Sequence, residues 1–363
     1  MRNPKTLKFP QDESAHKAII EWWYFNGHLK DKGGNKYSYM NCLFKADAKK
    51  VNLPFLPKRS FDTVYFSHSI LANLKTKKAY TVIDYFDIIS EDSLSDSLLF
   101  VNYANPLKGY FNKTIEEKKK FNYTIKNENF CFNLVAMKKP LLEAGKGYID
   151  LKSKGSYYYS LSNLATEGTI KIKGKDVKVT GKSWMDHQWA NASYNEKDKW
   201  TWFSIQLDNN IEIVCCEFDD GDELSYLATI SYNDNRQEST DNVILAETGI
   251  AWKSPMTKTR YPLSWKIEIP SKRIALDIKP LIKNQEVLFG AINYWEGPLD
   301  VTGTVKGKRV KGQGFLELVG YPKEVSDIKV FGKEIQKTIE EAASSFSRKR
   351  KSWFKYMLKK SQT

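Results

Sequence analysis

The chain has 363 residues, of which 41% are apolar and 13% aromatic, and its formal net charge is +14. This length allows two domains of ordinary size, each with its own core. No stretch approaches the roughly 20 apolar residues of a membrane-spanning helix. Residues 1–17 are polar and lack the apolar core of a signal peptide. We therefore expect a cytoplasmic protein, with peripheral contact to a membrane as an open alternative.

Before residue 332 the sequence alternates apolar and polar residues in short runs that end at turn residues, as strands do. The many aromatic residues agree with strands, because large rings fit a pleated, half-buried surface. The predicted strands of a first series are residues 20–29, 36–45, 61–74, 79–88, 121–125, 130–137, 157–161, 168–173 and 177–180. Those of a second series are residues 200–207, 211–218, 223–231, 264–269, 274–278, 290–295, 300–305 and 309–318.

Each series is long enough to close into a barrel of about eight strands, which removes the edge strands and leaves a lumen for one small ligand. The alternation lapses between residues 182 and 199, so the division between the two series falls there. The sequence therefore predicts an all-β fold of two tandem antiparallel β-barrels, at residues 16–185 and 186–330, followed by a helical tail at residues 331–363.

The tail differs from the rest of the chain in charge and period. Residues 332–363 carry nine Lys or Arg against three Glu. Apolar side chains recur at helical spacings on one face: Ile335, Ile339, Ala342, Phe346, Trp353 and Met357. This basic amphipathic helix either lies on an anionic membrane surface or packs on the barrel with a solvated basic end. We expect no nucleic acid partner, since no arginine-rich groove accompanies the tail.

Metal and cofactor chemistry finds no support in the sequence. Cys42, Cys131, Cys215 and Cys216 show no Cys-x-x-Cys spacing and have no His at metal-ligand spacing, which predicts free thiols. The chain also lacks a Gly-x-Ser-x-Gly elbow, a phosphate-binding loop and a dinucleotide fingerprint. These patterns argue against metal, serine-hydrolase and nucleotide-dependent enzymes, and we expect neither a metal nor an organic cofactor.

Several sequence blocks are more specific than composition. They are residues 21–29 (EWWYFNGHL), 181–189 (GKSWMDHQW), 294–297 (YWEG) and 312–321 (GQGFLELVGY), with smaller ones at 66–68 (FSH) and 158–160 (YYS). In this order, and over residues 16–322, the chain resembles the carotenoid 1,2-hydratase and AttH family, a lipocalin-like group.

The resemblance implies two tandem lipocalin-like barrels and an apolar ligand, often an isoprenoid or a polyene. Hydratases of this group add water across the terminal double bond of an acyclic carotenoid, a fungal relative hydrates a prenylated isoflavonoid, and others cyclise polyenes. In the hydratases a His-x-Trp pair and a later Tyr-x-Asp pair form the expected catalytic set. His187 and Trp189 keep the first pair. Cys215-Cys216-Glu217 is the nearest equivalent of the second, and its Tyr is missing.

Water addition to an alkene needs an acid of raised pKa, aromatic faces that stabilise a carbocation, and a base for the attacking water. The candidate catalytic residues are Asp186, His187 and Glu217. In an extended strand Asp186 points to one face, whereas His187 and Trp189 point to the other. The alternatives are a structural latch, in which Asp186 and His187 bond backbone groups between the domains, and a solvent-facing Glu217.

Six further residues are candidates for contact with the ligand: Trp23, Tyr24, His68, Trp184, Trp189 and Trp202. For Trp23 the alternative is a structural role, because lipocalin-type folds place a Trp across the bottom of the barrel. Glu21 is expected to pair with a Lys or Arg at that end. We interpret Glu296 and Glu317 as closure residues of the second barrel, with a role as polar groups of a second site as the alternative.

The sequence thus favours a protein that binds an apolar isoprenoid- or polyene-type small molecule in a lipocalin-like cavity. Acid-catalysed hydration without a cofactor is the reaction that the family resemblance favours, and isomerisation or cyclisation of the same ligand class also agrees with it. The alternatives are a non-catalytic carrier of a hydrophobic ligand, which the missing Tyr-x-Asp pair favours, and a scaffold docked on a membrane.

Overall fold

The computed structural model describes residues 5–51, 62–92, 98–105, 110–150, 154–192, 194, 197–289 and 292–325, together with residues 329 and 332. These residues form two large antiparallel sheets and a small two-stranded one. Three short 3-10 helices lie at Gln11–Glu13, Glu143–Gly145 and Pro270–Lys272. The predicted all-β fold class is therefore confirmed, and each large sheet curls into a barrel-like shape.

The first sheet is built from the first half of the chain. Its strands are β1 (Ile20–Asp31), β2 (Lys36–Asp47), β3 (Thr63–Asn73), β4 (Lys78–Asp92), β5 (Phe100–Asn105), β6 (Tyr110–Lys119), β7 (Asn122–Lys126), β8 (Phe130–Ala136), β9 (Leu141–Leu142), β10 (Tyr148–Ile149), β11 (Ser156–Ile172) and β12 (Lys175–Ala190). Strand β12 pairs with β1 on one side and with β11 on the other. Strand β11 also pairs with β8, so the two ends of the curled sheet meet.

The second half of the chain forms the other sheets. Its strands are β13 (Lys199–Leu207), β14 (Glu212–Asp219), β15 (Leu224–Ser231), β16 (Gln237–Thr240), β17 (Ile244–Glu247), β18 (Ala251–Lys253), β19 (Arg260–Pro262), β20 (Trp265–Ile269), β21 (Ile274–Pro280), β22 (Glu286–Phe289), β23 (Ile292–Val305) and β24 (Lys308–Val319). In the second large sheet β24 lies between β13 and β23. Strands β18 and β19 pair separately.

The three largest apolar cores of the described residues lie inside and between these sheets. One core, which includes Trp23, fills the interior of the first sheet, and a second, which includes Phe203, fills the interior of the second. A third core lies between the two sheets and includes Trp184 and Phe315. The residues from Ser183 to Ala190 are all buried, because one face of β12 meets the interior of its own sheet and the other meets the second sheet.

The chain passes from the first sheet to the second between Ala190 and Lys199. The division into residues 16–185 and 186–330 stays a prediction. Apart from residue 332, the predicted amphipathic helix at residues 331–363 lies outside the described residues, and its contact with a membrane stays a prediction too. Within the described part of the chain, no helix has the length and apolar character needed to span a membrane.

Candidate functional site

A row of side chains crosses the outer face of the first sheet, one from each of five neighbouring strands. Ser160, Asp186, Tyr24, Cys42 and His68 are successive register partners on β11, β12, β1, β2 and β3. Register partners point to the same face of a sheet. Neighbouring strands are about 4.8 Å apart, so about 14 Å separates Asp186 from His68. The Asp186 carboxyl therefore lies near one end of the row, next to Ser160, and the His68 imidazole lies at the other end.

A second row, on the other sheet, faces the first. Cys216, Trp202, Glu317 and Glu296 are successive register partners on β14, β13, β24 and β23. The Tyr24 hydroxyl donates to Glu296 Oε1 at 2.7 Å, and the Tyr24 ring meets Trp202 edge-on with centroids 5.5 Å apart. We call these two facing rows the intersheet site; its other polar members are Glu143, Tyr158, Trp184, Trp200 and Tyr294.

Asp186 is the acid at one end of the intersheet site. It is 3% exposed, and its Oδ1 accepts hydrogen bonds from Ser160 Oγ at 2.5 Å and from Trp184 Nε1 at 2.7 Å. Burial disfavours the charged form and raises the pKa of Asp186 to about 7, although these hydrogen bonds act in the opposite direction. A carboxyl group with such a pKa can both give and take a proton near neutral pH.

Glu143 is connected to Asp186 through Ser160. Ser160 Oγ lies 3.0 Å from Glu143 Oε1 and 2.5 Å from Asp186 Oδ1. A hydroxyl has one proton to donate, so contact with both carboxyl oxygens is best satisfied when one acid is itself protonated. Burial raises the pKa of Glu143 well above its usual range, which makes Glu143 the protonated partner. No sequence pattern indicated this residue, because it lies in a 3-10 turn without periodicity.

Glu296 and Glu317 form a carboxyl pair on β23 and β24. Burial and the neighbouring Glu317 carboxyl raise the pKa of Glu296 well above its usual range. Trp200 Nε1 donates to Glu317 Oε1 at 2.5 Å, and burial raises the pKa of Glu317 as well. Two adjacent buried carboxyl groups do not both ionise, so the pair holds a proton near neutral pH. The side-chain partners of the pair are the Tyr24 hydroxyl and the Trp200 indole N–H.

Aromatic and apolar side chains form the walls of the intersheet site. They are Tyr24, Met40, Ile70, Trp184, Trp202, Val214, Val287, Tyr294 and Phe315. Trp202 is oriented by its Nε1, which donates to the Tyr158 hydroxyl at 2.9 Å. Of the predicted ligand contacts, Tyr24, His68, Trp184 and Trp202 meet here. The aromatic rings of Tyr24, Trp184 and Trp202, unlike that of the more distant His68, are near enough to stabilise a cation that forms close to Asp186.

His187 lies on the opposite face of β12, inside the first sheet. Its Nε2 is 2.9 Å from Glu21 Oε1, and His16 Nδ1 is 2.8 Å from the same oxygen. We call His16, Glu21 and His187 the interior ladder. Burial lowers the pKa of His187 to about 4, so its imidazole is neutral. Although burial alone would raise it, hydrogen bonds from both His residues lower the pKa of Glu21 to about 2.

Rings surround the interior ladder. Trp189 stacks on His16 with centroids 3.8 Å apart, and Trp23 stacks on His187 at 4.9 Å. The alternation predicted for residues 186–189 is therefore confirmed, and it separates His187 and Trp189 from Asp186. This arrangement differs from the latch alternative, because the side-chain partners of His187, Glu21 and Tyr159, belong to the first sheet and not to the other half of the chain. Glu21 pairs with the two His, and its Oε2 lies 3.6 Å from Lys45 Nζ.

The interior ladder also has the composition of a metal site. One donor atom from each of His16, Glu21 and His187 lies within 4.8 Å of the others. The separations of 2.8 and 2.9 Å from Glu21 Oε1 are those of direct hydrogen bonds. These donors therefore already satisfy one another in this arrangement.

Glu217 lies apart from both groups. It is the register partner of Thr201 on β13 and shares a face of β14 with buried Cys215, whereas Cys216 faces the intersheet site. Its side chain is half-buried beside Tyr226. Burial and the neighbouring Glu217 carboxyl both raise the pKa of Tyr226. The structure does not bring Glu217 together with Asp186 or His187. The carboxyl groups of the other sheet that interact electrostatically with Asp186 are Glu296 and Glu317.

Two curled antiparallel sheets, with buried acids and aromatic rings between them, define the class of two-part lipocalin-like β proteins. The AttH-like family model matches residues 1–321, and the chain belongs to this AttH-like family.

Two curated relatives carry reaction names. Kievitone hydratase of Fusarium solani subsp. phaseoli is 26% identical over 212 residues, which is 53% of this chain and 58% of that protein. Dehydratase asqC of Emericella nidulans is 24% identical over 207 residues, again 53% of this chain and 58% of that protein. Each match therefore spans less than two thirds of the relative.

Solved structures share the fold over most of the chain. An AttH protein from Nitrosomonas europaea superposes with a TM-score of 0.67 and 23% identity, covering 88% of this chain and 98% of that one. Kievitone hydratase from Nectria haematococca superposes with a TM-score of 0.69 and 17% identity, covering 88% of this chain and 94% of that one. CghA with Sch210972 superposes with a TM-score of 0.54 and 11% identity, covering 85% of this chain and 89% of that one. At these identities the likeness establishes the fold.

Proposed function

We propose that this protein is a hydratase-type enzyme that adds water to, or removes water from, an alkene of a small apolar molecule in the intersheet site. Relatives named as a hydratase and a dehydratase support this reaction class. The observation that carries the proposal is Asp186, a buried carboxyl with a pKa of about 7 beside aromatic walls. The apolar walls support an isoprenoid or a polyene as the substrate.

In the proposed reaction protonated Asp186 gives its proton to one alkene carbon, and the electrons of the double bond form the new C–H bond. The other carbon becomes a tertiary cation, which the faces of Trp184 and Trp202 stabilise. Water attacks this carbon, and its surplus proton passes to the ionised member of the Glu296 and Glu317 pair. Return of that proton to Asp186 closes the cycle, and the reverse sequence is dehydration. The proposed reaction needs no organic cofactor.

The test is turnover by the purified full chain with lycopene, an acyclic carotenoid, and separately with kievitone. Mass spectrometry should detect a product heavier by one water. Asp186→Asn should lower the rate by about 10²- to 10⁴-fold, the usual contribution of a general acid, without weakening ligand binding. The control is Asp176→Asn, an exposed position on the same strand. An unchanged rate in Asp186→Asn would contradict the assignment.

A carrier of the same ligand class is the alternative function, and the replacement of the Tyr-x-Asp pair by Cys215-Cys216-Glu217 favours it. In that case lipids extracted from the purified protein, made in a host that produces acyclic carotenoids, should contain an unmodified isoprenoid or polyene. No species heavier by one water should appear in the host extract. The same extraction therefore distinguishes the enzyme function from the carrier function.

A further inference from the structure

The imidazole of His68 lies in an aromatic enclosure at the far end of the first row. Its ring centroid is 4.8 Å from that of Phe289, 5.0 Å from Phe44, 5.7 Å from Tyr294 and 5.9 Å from Phe66. We call these four rings and His68 the aromatic box. Phe66 and Phe289 also stack on each other with centroids 4.7 Å apart. A flat or apolar group suits such walls.

One nitrogen of His68 has a partner and the other has none. Nδ1 lies 2.6 Å from the Tyr294 hydroxyl, whereas Nε2 is buried and has no hydrogen-bond partner among the described residues. His68 itself is 2% exposed. Buried polar atoms are almost always hydrogen-bonded, so an unpaired one beside a candidate site calls for a partner that the described residues do not supply.

The protonation of the pair determines what that partner must be. Burial lowers the pKa of His68 to about 3 and raises the pKa of Tyr294 well above its usual range, so both groups are neutral. A neutral imidazole has one N–H and one acceptor nitrogen. When Nδ1 accepts the phenolic proton of Tyr294, the ring proton lies on Nε2. The aromatic box then offers a hydrogen-bond donor.

Tyr24 and Cys42 stand between Asp186 and His68 in the register, and Met40 and Ile70 belong to the same core. Most of the side chains between the two ends are therefore apolar, and the Tyr24 hydroxyl, which donates to Glu296, is the polar exception among these four. The row has an acid near one end and a donor in aromatic surroundings at the other, about 14 Å apart.

We infer that the substrate is an apolar chain with a hydrogen-bond acceptor, such as a carbonyl, hydroxyl or ether oxygen, about 14 Å from its reacting alkene, and that His68 Nε2 binds this acceptor. This inference rests on the proposed reaction at Asp186 for the other end of the chain. It makes His68 and Tyr294 the residues that select an oxygenated substrate over a hydrocarbon of the same shape.

The probes are farnesylacetone, whose carbonyl and terminal alkene lie about as far apart as the two ends of the row, and its analogue with a methylene in place of the carbonyl. Titration of the full chain, followed by quenching of Trp fluorescence, should give roughly tenfold tighter binding of the ketone, as expected for one hydrogen bond in a buried place. Geranylacetone, which is one isoprene unit shorter, should bind with a smaller preference over its own methylene analogue.

His68→Phe should abolish the preference for the ketone and leave the affinity for the hydrocarbon within about twofold, because only the donor is lost. His68→Gln restores a donor and should keep part of the preference, which guards against a misfolded variant. Tyr294→Phe should reduce the preference, because the proton is then no longer directed to Nε2. Tyr80→Phe, on an exposed ring of β4, is the matched control and should change nothing.

Binding and turnover separate this inference from the proposed function. One outcome is a preference for the ketone that disappears in His68→Phe, without any hydration of farnesylacetone. It would support the binding of an acceptor by His68, which we call the subsite, and would count against the reaction. Hydration with equal affinity for the two probes would support the reaction and overturn the subsite. Failure of both probes to bind the wild type would also overturn the subsite.

Discussion

The two faces of β12 bury acids in opposite states. On the face toward the second sheet, burial raises the pKa of Asp186 to about 7. On the interior side, Glu21 of the neighbouring strand is equally buried, yet its pKa falls to about 2 because His16 and His187 donate to it. Burial alone therefore does not set the charge of an acid. The donors around it decide whether it is a proton reservoir or a permanent anion.

This difference predicts where a neutral substitute is tolerated. Glu21→Gln should lower the free energy of unfolding by about 3 kcal/mol, because it removes the anion from a buried, charged and hydrogen-bonded group. Glu296→Gln is the matched variant, and it should cost far less because Glu296 already carries a proton. Urea unfolding of both variants at pH 7 measures the difference. Equal losses would contradict the contrast between the two faces.

Substitution of His187 separates a structural role from the catalytic alternative. His187→Phe should lower the free energy of unfolding by about 1–2 kcal/mol, since a buried acceptor on Glu21 loses its donor. Turnover should stay within a few-fold of the wild type, because Asp186 faces the other side of the strand. The measurements are urea unfolding and the hydration assay. A large loss of turnover at unchanged stability would instead make His187 catalytic.

The pH dependence of stability should have opposite signs for the two acids. Asp186 titrates near 3.8 in the unfolded chain and near 7 when folded, so stability falls as pH rises between these values. The pKa of Glu21 is 4.5 in the unfolded chain and about 2 in the folded protein. Its contribution to the free energy of unfolding is therefore fully present above pH 4.5 and is lost as the pH falls toward 2. Each slope is at most about 1.4 kcal/mol per pH unit.

Unfolding curves from pH 2 to 8 check these signs. Asp186→Asn should flatten the decline between pH 4 and 7, and Glu21→Gln should flatten the decline below pH 4.5. If the proposed reaction holds, hydration by the wild type should also fall as pH rises above about 7, since Asp186 must carry its proton. Unchanged slopes in either variant would mean that another group titrates.

Local patterns predicted the strands and the orientation of their side chains. The alternation of residues 186–189 correctly separated Asp186 from His187, because the period of two is a property of any extended strand. The family blocks contained Tyr24, Trp184, Glu296 and the residues around Glu317. The sequence could not place Glu296 against Tyr24, because that contact joins residues 272 positions apart across two sheets.

Other parts of the site had no local signal. Glu143 reaches Ser160 from a single 3-10 turn, which has no periodicity to indicate its direction. The resemblance to the Tyr-x-Asp pair indicates Glu217 of β14 as a candidate acid. Its strand neighbour Cys216, however, is the residue that points toward the first sheet. Which of two alternating residues faces a partner sheet depends on how the sheets dock, and the strand pattern does not contain that information.

The double burial of β12 has a consequence for how relatives of this chain can diverge. A single residue inserted or deleted ahead of Asp186 would turn every following side chain to the opposite face. The imidazole would then meet the second sheet, and the carboxyl would meet Glu21. Such a change exchanges two incompatible sets of proton donors at once, and no nearby point substitution repairs it. Length variation among relatives should therefore be confined to the hairpin at one end of this strand and the connection at the other.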